Sequence, residues 1–282
     1  MKPSTIGVTG AGQMGAGIAQ VFAQAGFQVV LHDVAQAALD RALGGITASL
    51  EKLAANGKIS DPPTVVAQRI TATTQLSDLA RTQCVIEAAP ENAQLKQHIF
   101  SALDTVVPAE TILASNTSSI AIATLAQVTR RPGQVIGMHF MNPVPLMPCV
   151  EVIRSDTTKD ATFQVVAQLV QQLGKTMVVS KDRAGFIVNR ILMPMINEAV
   201  HALHEGLATR EDIDAAMRLS CNFPMGPLTL ADFIGLDTVV SILEVMQAGL
   251  ADARYAPCPL LAEYVAKGWT GKKAGRGFYD YQ

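Results

Sequence analysis

Thr5-Ile-Gly-Val-Thr9-Gly10-Ala-Gly12-Gln-Met14-Gly15-Ala-Gly-Ile18-Ala-Gln20 is the stretch that decides the fold. Thr5–Thr9 reads as a short strand. Met14, Ile18, Val21, Phe22 and Ala25 recur at the spacing of one helical face. Between strand and helix stand Gly10, Gly12 and Gly15. The first glycine permits a tight turn, the second lets the backbone approach a pyrophosphate, and the third lets the helix pack close to the strand. The helix N-terminus, with Gln13 and Met14 in its first turn, then offers unpaired N–H groups to phosphates. A GxGxxG pattern alone is weak; its strand–turn–helix setting gives it weight. Asp33 closes the next strand, Gln28–His32, where a carboxylate meets the adenosine ribose hydroxyls. A negative charge there repels a 2′-phosphate, so the expected cofactor is NAD rather than NADP.

Working outward, strands are expected at Cys84–Ala88, Thr111–Ser115 and Val135–His139, with helices near 35–55 and 92–107. Strands alternating with helices indicate a parallel sheet covered on both faces. A proline-rich loop follows Asn142. The apolar run Cys149–Ile153, a helix near 160–173 and a strand near 176–180 then extend the edge of the same sheet. The pattern changes at Asp182–Ala184. Beyond it lie helices from Phe186 to Gly206 and near 209–220, 227–250 and 257–267, with no strand. The expected fold is α/β: a Rossmann-type, doubly wound, mostly parallel sheet over residues 1–183 and an all-α domain over 184–282. Apolar residues from Phe186 to Leu203 cover more than one face of the long helix. That implies burial on two sides, at the centre of its domain or at a subunit interface. Pro194 should kink it.

The 282 residues carry 22 Lys and Arg against 24 Asp and Glu, a net charge of −2 without a basic stripe, which argues against nucleic-acid binding. With 49% hydrophobic and 16% charged residues, disorder is excluded. Cys84, Cys149, Cys221 and Cys258 form no CxxC and accompany no cluster of histidines. Neither a disulfide framework nor a metal site is expected, and a reducing cytoplasm is the simplest setting. Met1–Ser4 leads directly into the first strand without the apolar region of a signal peptide. Two long uncharged spans, 111–129 and 132–150, are broken by Ser115–Ser119 and by four prolines, so no membrane helix is expected. Arg130 and Arg131 are the only Arg, Lys, Asp or Glu between Glu110 and Glu151, so this span should be buried, with its polar groups paired.

His139 ends a strand inside that span, and Glu151 lies twelve residues on in another apolar run. If the intervening loop reverses the chain, carboxylate and imidazole can meet, which makes burial of both tolerable. The pair is then either a general acid–base catalyst with a fixed tautomer or a structural buried pair. Asn116 and Ser118 follow the strand Thr111–Ser115, at the edge where ligands sit in open α/β sheets; Ser119 could equally cap the next helix. Asn189 is a polar residue in an apolar helix start, and could contact a ligand or another helix.

These segments, with Glu87–Asn92, Ser115–Ser119, His139–Pro145, Asp182–Arg190, Pro224–Leu228 and Gly275–Tyr279, resemble the 3-hydroxyacyl-CoA dehydrogenase family along essentially the whole chain, most closely its short-chain branch. The resemblance implies an NAD-dependent oxidoreductase interconverting (S)-3-hydroxyacyl-CoA and 3-oxoacyl-CoA, such as 3-hydroxybutyryl-CoA and acetoacetyl-CoA, in fatty acid metabolism. It implies His139 as general acid/base, Glu151 as its partner, and Ser118 and Asn189 on the substrate oxygens. Glu91, Lys96, Asn116, Ser118, Asn142 and Lys273 would line the nicotinamide nucleotide. Ser49 and Lys52 would meet the CoA moiety, and Asn142 the substrate. A homodimer through the C-terminal domain is also implied. Where some relatives carry Lys, this chain has Asn56. The rival readings are a related dehydrogenase of a non-CoA hydroxy acid and a non-catalytic, crystallin-like relative.

Overall fold

β1 (Thr5–Thr9) runs through the glycine turn into α1 (Gln13–Gln24), as the local pattern requires. The computed structural model describes residues 5–281, so the reading made for Met1–Ser4 lies outside it. The chain continues through β2 (Gln28–His32), α2 (Gln36–Ala55), α3 (Pro63–Ala67), β3 (Ile70–Thr73), β4 (Cys84–Glu87), α4 (Ala93–Val106) and β5 (Ile112–Ser115). It then forms α5 (Ile122–Ala126), β6 (Val135–Phe140), β7 (Cys149–Arg154), α6 (Asp160–Gln172) and β8 (Thr176–Lys181). All eight strands form one sheet in the order β3-β2-β1-β4-β5-β6-β7-β8. β1 to β6 pair in parallel, β7 is antiparallel to β6, and β8 is parallel to β7. The strand order reverses at β1, so the carboxyl ends of β1 and β4 form the crevice in which open α/β sheets hold ligands.

The central strands are apolar on both faces, as a covered parallel sheet demands: Val8, Leu31, Ile86, Leu113 and Ile136 are fully buried. The charge-poor span is buried along β5 and β6, but not throughout: Leu146 and Met147 in its proline-rich loop are exposed. Its Arg131 donates to the Asp104 carboxylate and to the carbonyls of Asp104, Val107 and Pro108, closing the C-terminal end of α4. α3 and β3 have no counterpart in the sequence reading. β3 is an edge strand paired only with β2, and Ile70 alone of its four residues is buried, so it carries little apolar signal.

The described residues divide into two compact units, the first ending at Asp182 and the second beginning at Arg183. The second contains α7 (Val188–His204), α8 (Arg210–Ser220), α9 (Pro227–Ile234), α10 (Leu236–Leu250) and α11 (Pro259–Ala266). The single helix expected over 227–250 is two helices. Gly235, with φ 100°, ends α9 and starts α10 in a conformation a side chain would resist. α7 begins at Val188 rather than Phe186, because Gly185 and Phe186 have φ of 80° and 47°. Pro194 lies within α7; lacking an N–H, it removes one rung of the helical ladder. Met193, Ile196 and Val200 of α7 join the core of this unit, whereas Ile191 is 67% exposed, so within the chain the helix is not buried all round. Asp214 accepts the N–H groups of Leu228 and Thr229 and so caps α9. Asp232 accepts those of Phe278 and Tyr279 and ties the C-terminal segment to α9.

Candidate active site

The glycine turn has the shape a pyrophosphate needs. A Cβ on Gly10 (φ 98°) would lie 2.7 Å from the Ala88 carbonyl, and one on Gly15 would lie 1.7 Å from the Gly10 oxygen. A Cβ on Gly12 would meet nothing within 4 Å, so that residue borders open space. Gln13 is exposed beside it at the start of α1, and Met14 packs against the core behind. At the end of β2 the Asp33 carboxylate accepts the N–H groups of Ala11 (2.7 Å) and Ala35 (2.9 Å). It thus stands against the glycine turn, as a ribose-binding acid should. Tight glycines on one side, an open one on the other and an adjacent carboxylate together fit a dinucleotide.

The chain reversal after β6 brings the proposed catalytic pair together. In the antiparallel β6–β7 register His139 is the direct partner of Glu151. Their side chains meet at 3.1 Å between Nδ1 and Oε2, with Glu151 fully buried and His139 nearly so. A carboxylate can only accept, so Nδ1 is the donor in this contact, and the tautomer it selects leaves Nε2 as an acceptor. Ser118 Oγ lies 3.1 Å from Nε2 and can donate to it. Because β1, β4, β5 and β6 are parallel, this group shares a sheet edge with the glycine turn.

A second polar cluster holds the loop that presents Ser118. Glu91 Oε1 accepts from the Thr117 hydroxyl (2.6 Å), the Ser118 N–H (2.9 Å), and the Ser119 N–H (3.0 Å) and hydroxyl (2.9 Å). Burial pushes the Glu91 carboxyl up, but Lys96 and these donors outweigh it and hold it below its ordinary value. Ser119 therefore packs into this cluster. Lys96, fully buried, lies 2.7 Å from Glu87 and 3.5 Å from Glu91. Glu87 is a hub that sequence reasoning did not single out: it also accepts from the Ala89 N–H (2.6 Å) and the Ser115 hydroxyl (2.6 Å). A buried lysine needs such a partner, but its burial is visible only in the fold. Asn116 Oδ1 accepts the Phe140 N–H at 2.9 Å and ties the ends of β5 and β6 together.

Beside the glycine turn, α1, α2 and the loop 142–145 enclose a cavity of about 490 Å³. Gln13, Ser49 and Asn142 line it. Lys52 is exposed one turn beyond Ser49 on α2, and Asn56 caps that helix by donating its side-chain N–H to the Lys52 carbonyl at 2.7 Å. In the second unit, Asn189 is buried in the first turn of α7, and Lys273 pairs with Asp237 of α10 at 2.7 Å. Among the described residues no helix is long and apolar enough to cross a membrane.

The family model for the 3-hydroxyacyl-CoA dehydrogenase NAD binding domain matches residues 5–183, and that for the C-terminal domain matches residues 185–281. A probable 3-hydroxybutyryl-CoA dehydrogenase of Deinococcus radiodurans is 55% identical over 275 residues, covering 98% of this chain and 99% of its own. A 3-hydroxybutyryl-CoA dehydrogenase of Bradyrhizobium diazoefficiens is 52% identical, covering 98% and 95%. The crystal structure of (S)-3-hydroxybutyryl-CoA dehydrogenase PaaH1 from Ralstonia eutropha superposes with a TM-score of 0.95 at 48% identity, covering all of both chains. The chain therefore belongs to the 3-hydroxyacyl-CoA dehydrogenase family, with that family's NAD-binding domain in its first unit.

Proposed function

We propose that this chain is an NAD-dependent (S)-3-hydroxybutyryl-CoA dehydrogenase, acting reversibly on C3 of a short acyl-CoA. The observation that carries the reading is the Ser118–His139–Glu151 chain at the sheet edge that bears the glycine turn.

NAD, when bound, supplies the hydride acceptor for oxidation and, reduced, the donor for the reverse reaction. Gly10, Gly12, Gly15 and the first turn of α1 would hold its pyrophosphate, and Asp33 its ribose. Glu91, Lys96, Asn116, Asn142 and Lys273 would line its nicotinamide half. His139 Nε2 removes the substrate hydroxyl proton in oxidation and returns it in reduction. Glu151, fixed on Nδ1, keeps that tautomer and stabilises the imidazolium. Ser118 holds the reacting oxygen against Nε2, and Asn189 supplies a further contact to the substrate's oxygens. Glu91 fixes the Ser118 backbone and so sets the angle of approach; positioning of this kind is a large part of such catalysis. Ser49 and Lys52 contact the CoA moiety.

The second unit is the substrate-binding and dimerisation domain in this reading. Ile191, Leu207, Leu219 and Phe233 are exposed on it, large apolar side chains that a second copy could cover. Four free cysteines suit a reducing cytoplasm.

The purified protein should oxidise NADH with acetoacetyl-CoA and ignore free acetoacetate. Equal rates with both would replace the CoA ester by a simple oxo acid as substrate.

A further inference from the structure

The cavity between α1 and α2 carries a polar group that the reaction chemistry leaves unused. Gln20 lies on the α1 face that also bears Ala16 and Gly17, at the spacing of one helical stripe, and all three line the cavity. Its residue exposure is 2%, and its Nε2 has no hydrogen-bond partner among the described residues. A carboxamide N–H removed from water is rarely left without an acceptor. The opposite wall, from α2, presents Ala42, Gly45 and Ile46 together with the polar Arg41 and Ser49, none of which is hydrogen-bonded to Gln20 Nε2. Asn142, three residues beyond His139 in the chain, also lines the cavity. A cavity with apolar stretches and a buried, unpartnered donor in its α1 wall suits a largely aliphatic chain that bears an occasional carbonyl acceptor.

We propose that Gln20 is a substrate-binding residue whose side-chain N–H donates to an amide carbonyl of the pantetheine arm laid between α1 and α2. The inference rests on the acyl-CoA reading above and deepens it. The pantetheine arm has two secondary amides in an otherwise flexible aliphatic chain, so one hydrogen bond part-way along it fixes how far the thioester end reaches toward His139. Gln20 then governs affinity for the carrier and leaves the proton-transfer step alone.

The test compares Gln20→Met, close in shape but without a donor, with the unaltered enzyme on three substrates. With acetoacetyl-CoA the variant should show a KM raised about tenfold, the worth of one neutral hydrogen bond. Its kcat, its KM for NADH and its melting temperature should stay near those of the unaltered enzyme. The same penalty should appear with acetoacetyl-pantetheine, which lacks the nucleotide, and vanish with the S-ethyl thioester of acetoacetate, which has no amide. An unchanged KM for acetoacetyl-CoA overturns the proposal. So does a penalty that persists with the S-ethyl ester, because the residue then acts on the reacting end or on the fold. A penalty lost with acetoacetyl-pantetheine moves the contact to the nucleotide and overturns it as well. Should the variant not fold, the side-chain amide resonance of Gln20 in the unaltered protein should shift on saturation with pantetheine, and an unmoved resonance sinks the idea. Failure of the unaltered enzyme to reduce acetoacetyl-CoA removes the functional reading itself, whereas normal turnover with an indifferent Gln20 variant removes only this inference.

Discussion

Glu151 in the first unit and Asp232 in the second are both nearly inaccessible, at 0% and 1% exposure, yet their partners differ in kind. Asp232 accepts two backbone N–H groups, from Phe278 and Tyr279, and the Tyr281 hydroxyl. Those donors all lie in the C-terminal segment, so that carboxylate holds the segment in place. Glu151 meets an imidazole whose far nitrogen faces the Ser118 hydroxyl. A buried acid is thus no sign of chemistry by itself; what lies beyond its first partner decides.

The largest effect expected from this contrast is at the imidazole. His139→Ala should lower kcat by about 10²–10⁴-fold, the usual cost of losing a proton-transfer group, with melting temperature and NADH affinity retained. Turnover near the original rate would erase the difference between the two units.

A smaller loss is expected at Asp33, whose carboxylate serves the glycine turn. Asp33→Ala should weaken NAD roughly tenfold, about one charge-assisted hydrogen bond, and shift preference toward NADP. Fluorescence titration with both reduced nucleotides reads this directly; an unaltered ratio would remove the argument from charge.

Glu91 sharpens the comparison, because it binds backbone amides as Asp232 does, yet at the loop that carries Ser118. Glu91→Ala should cost about tenfold in kcat through misplacement of Ser118, and Glu91→Gln, which keeps an acceptor, should recover most of it. A loss confined to melting temperature would reduce Glu91 to a structural clasp.

The smallest effect is one of sign. Burial raises the Asp232 carboxyl, outweighing its hydrogen bonds, whereas Lys96 and the loop donors leave Glu91 lowered. Between its unfolded value, near pH 4, and its raised folded value, Asp232 binds more protons when folded, so its contribution to stability falls as pH rises. Glu91 behaves oppositely: its contribution is present above the unfolded value and lost as pH falls through the folded one. Urea unfolding of Asp232→Asn and Glu91→Gln across the acid range should differ from the unaltered protein with opposite slopes, and parallel slopes would refute the assignment.

Much of this architecture is legible in order along the chain. β1, the glycine turn, β2 and Asp33 could be read because each depends on residues a few positions apart: period-two or helical apolar spacing, and glycines where a turn forbids a side chain. β3 was invisible because an edge strand with one buried residue has no such pattern. The break at Gly235 was missed because helical periodicity continues on both sides of it; only its positive φ separates α9 from α10. Glu87 looked like an ordinary strand end until the burial of Lys96 showed what it holds.

The amino-acid order alone determined the alternation of strands and helices, the phosphate-binding turn, the preference for NAD and the change to an all-helical second half, all local consequences of spacing and backbone freedom. It also marked His139 and Glu151 as candidates, but left a core pair and a catalytic pair equally open. That the two side chains meet belongs to the tertiary structure. Only the antiparallel register of β6 and β7 sets the two side chains opposite one another, and only the crossover to β5 brings Ser118 to the other ring nitrogen. Strand register is a non-local pairing, decided by which residues the assembled sheet can bury together, and no short-range pattern encodes it.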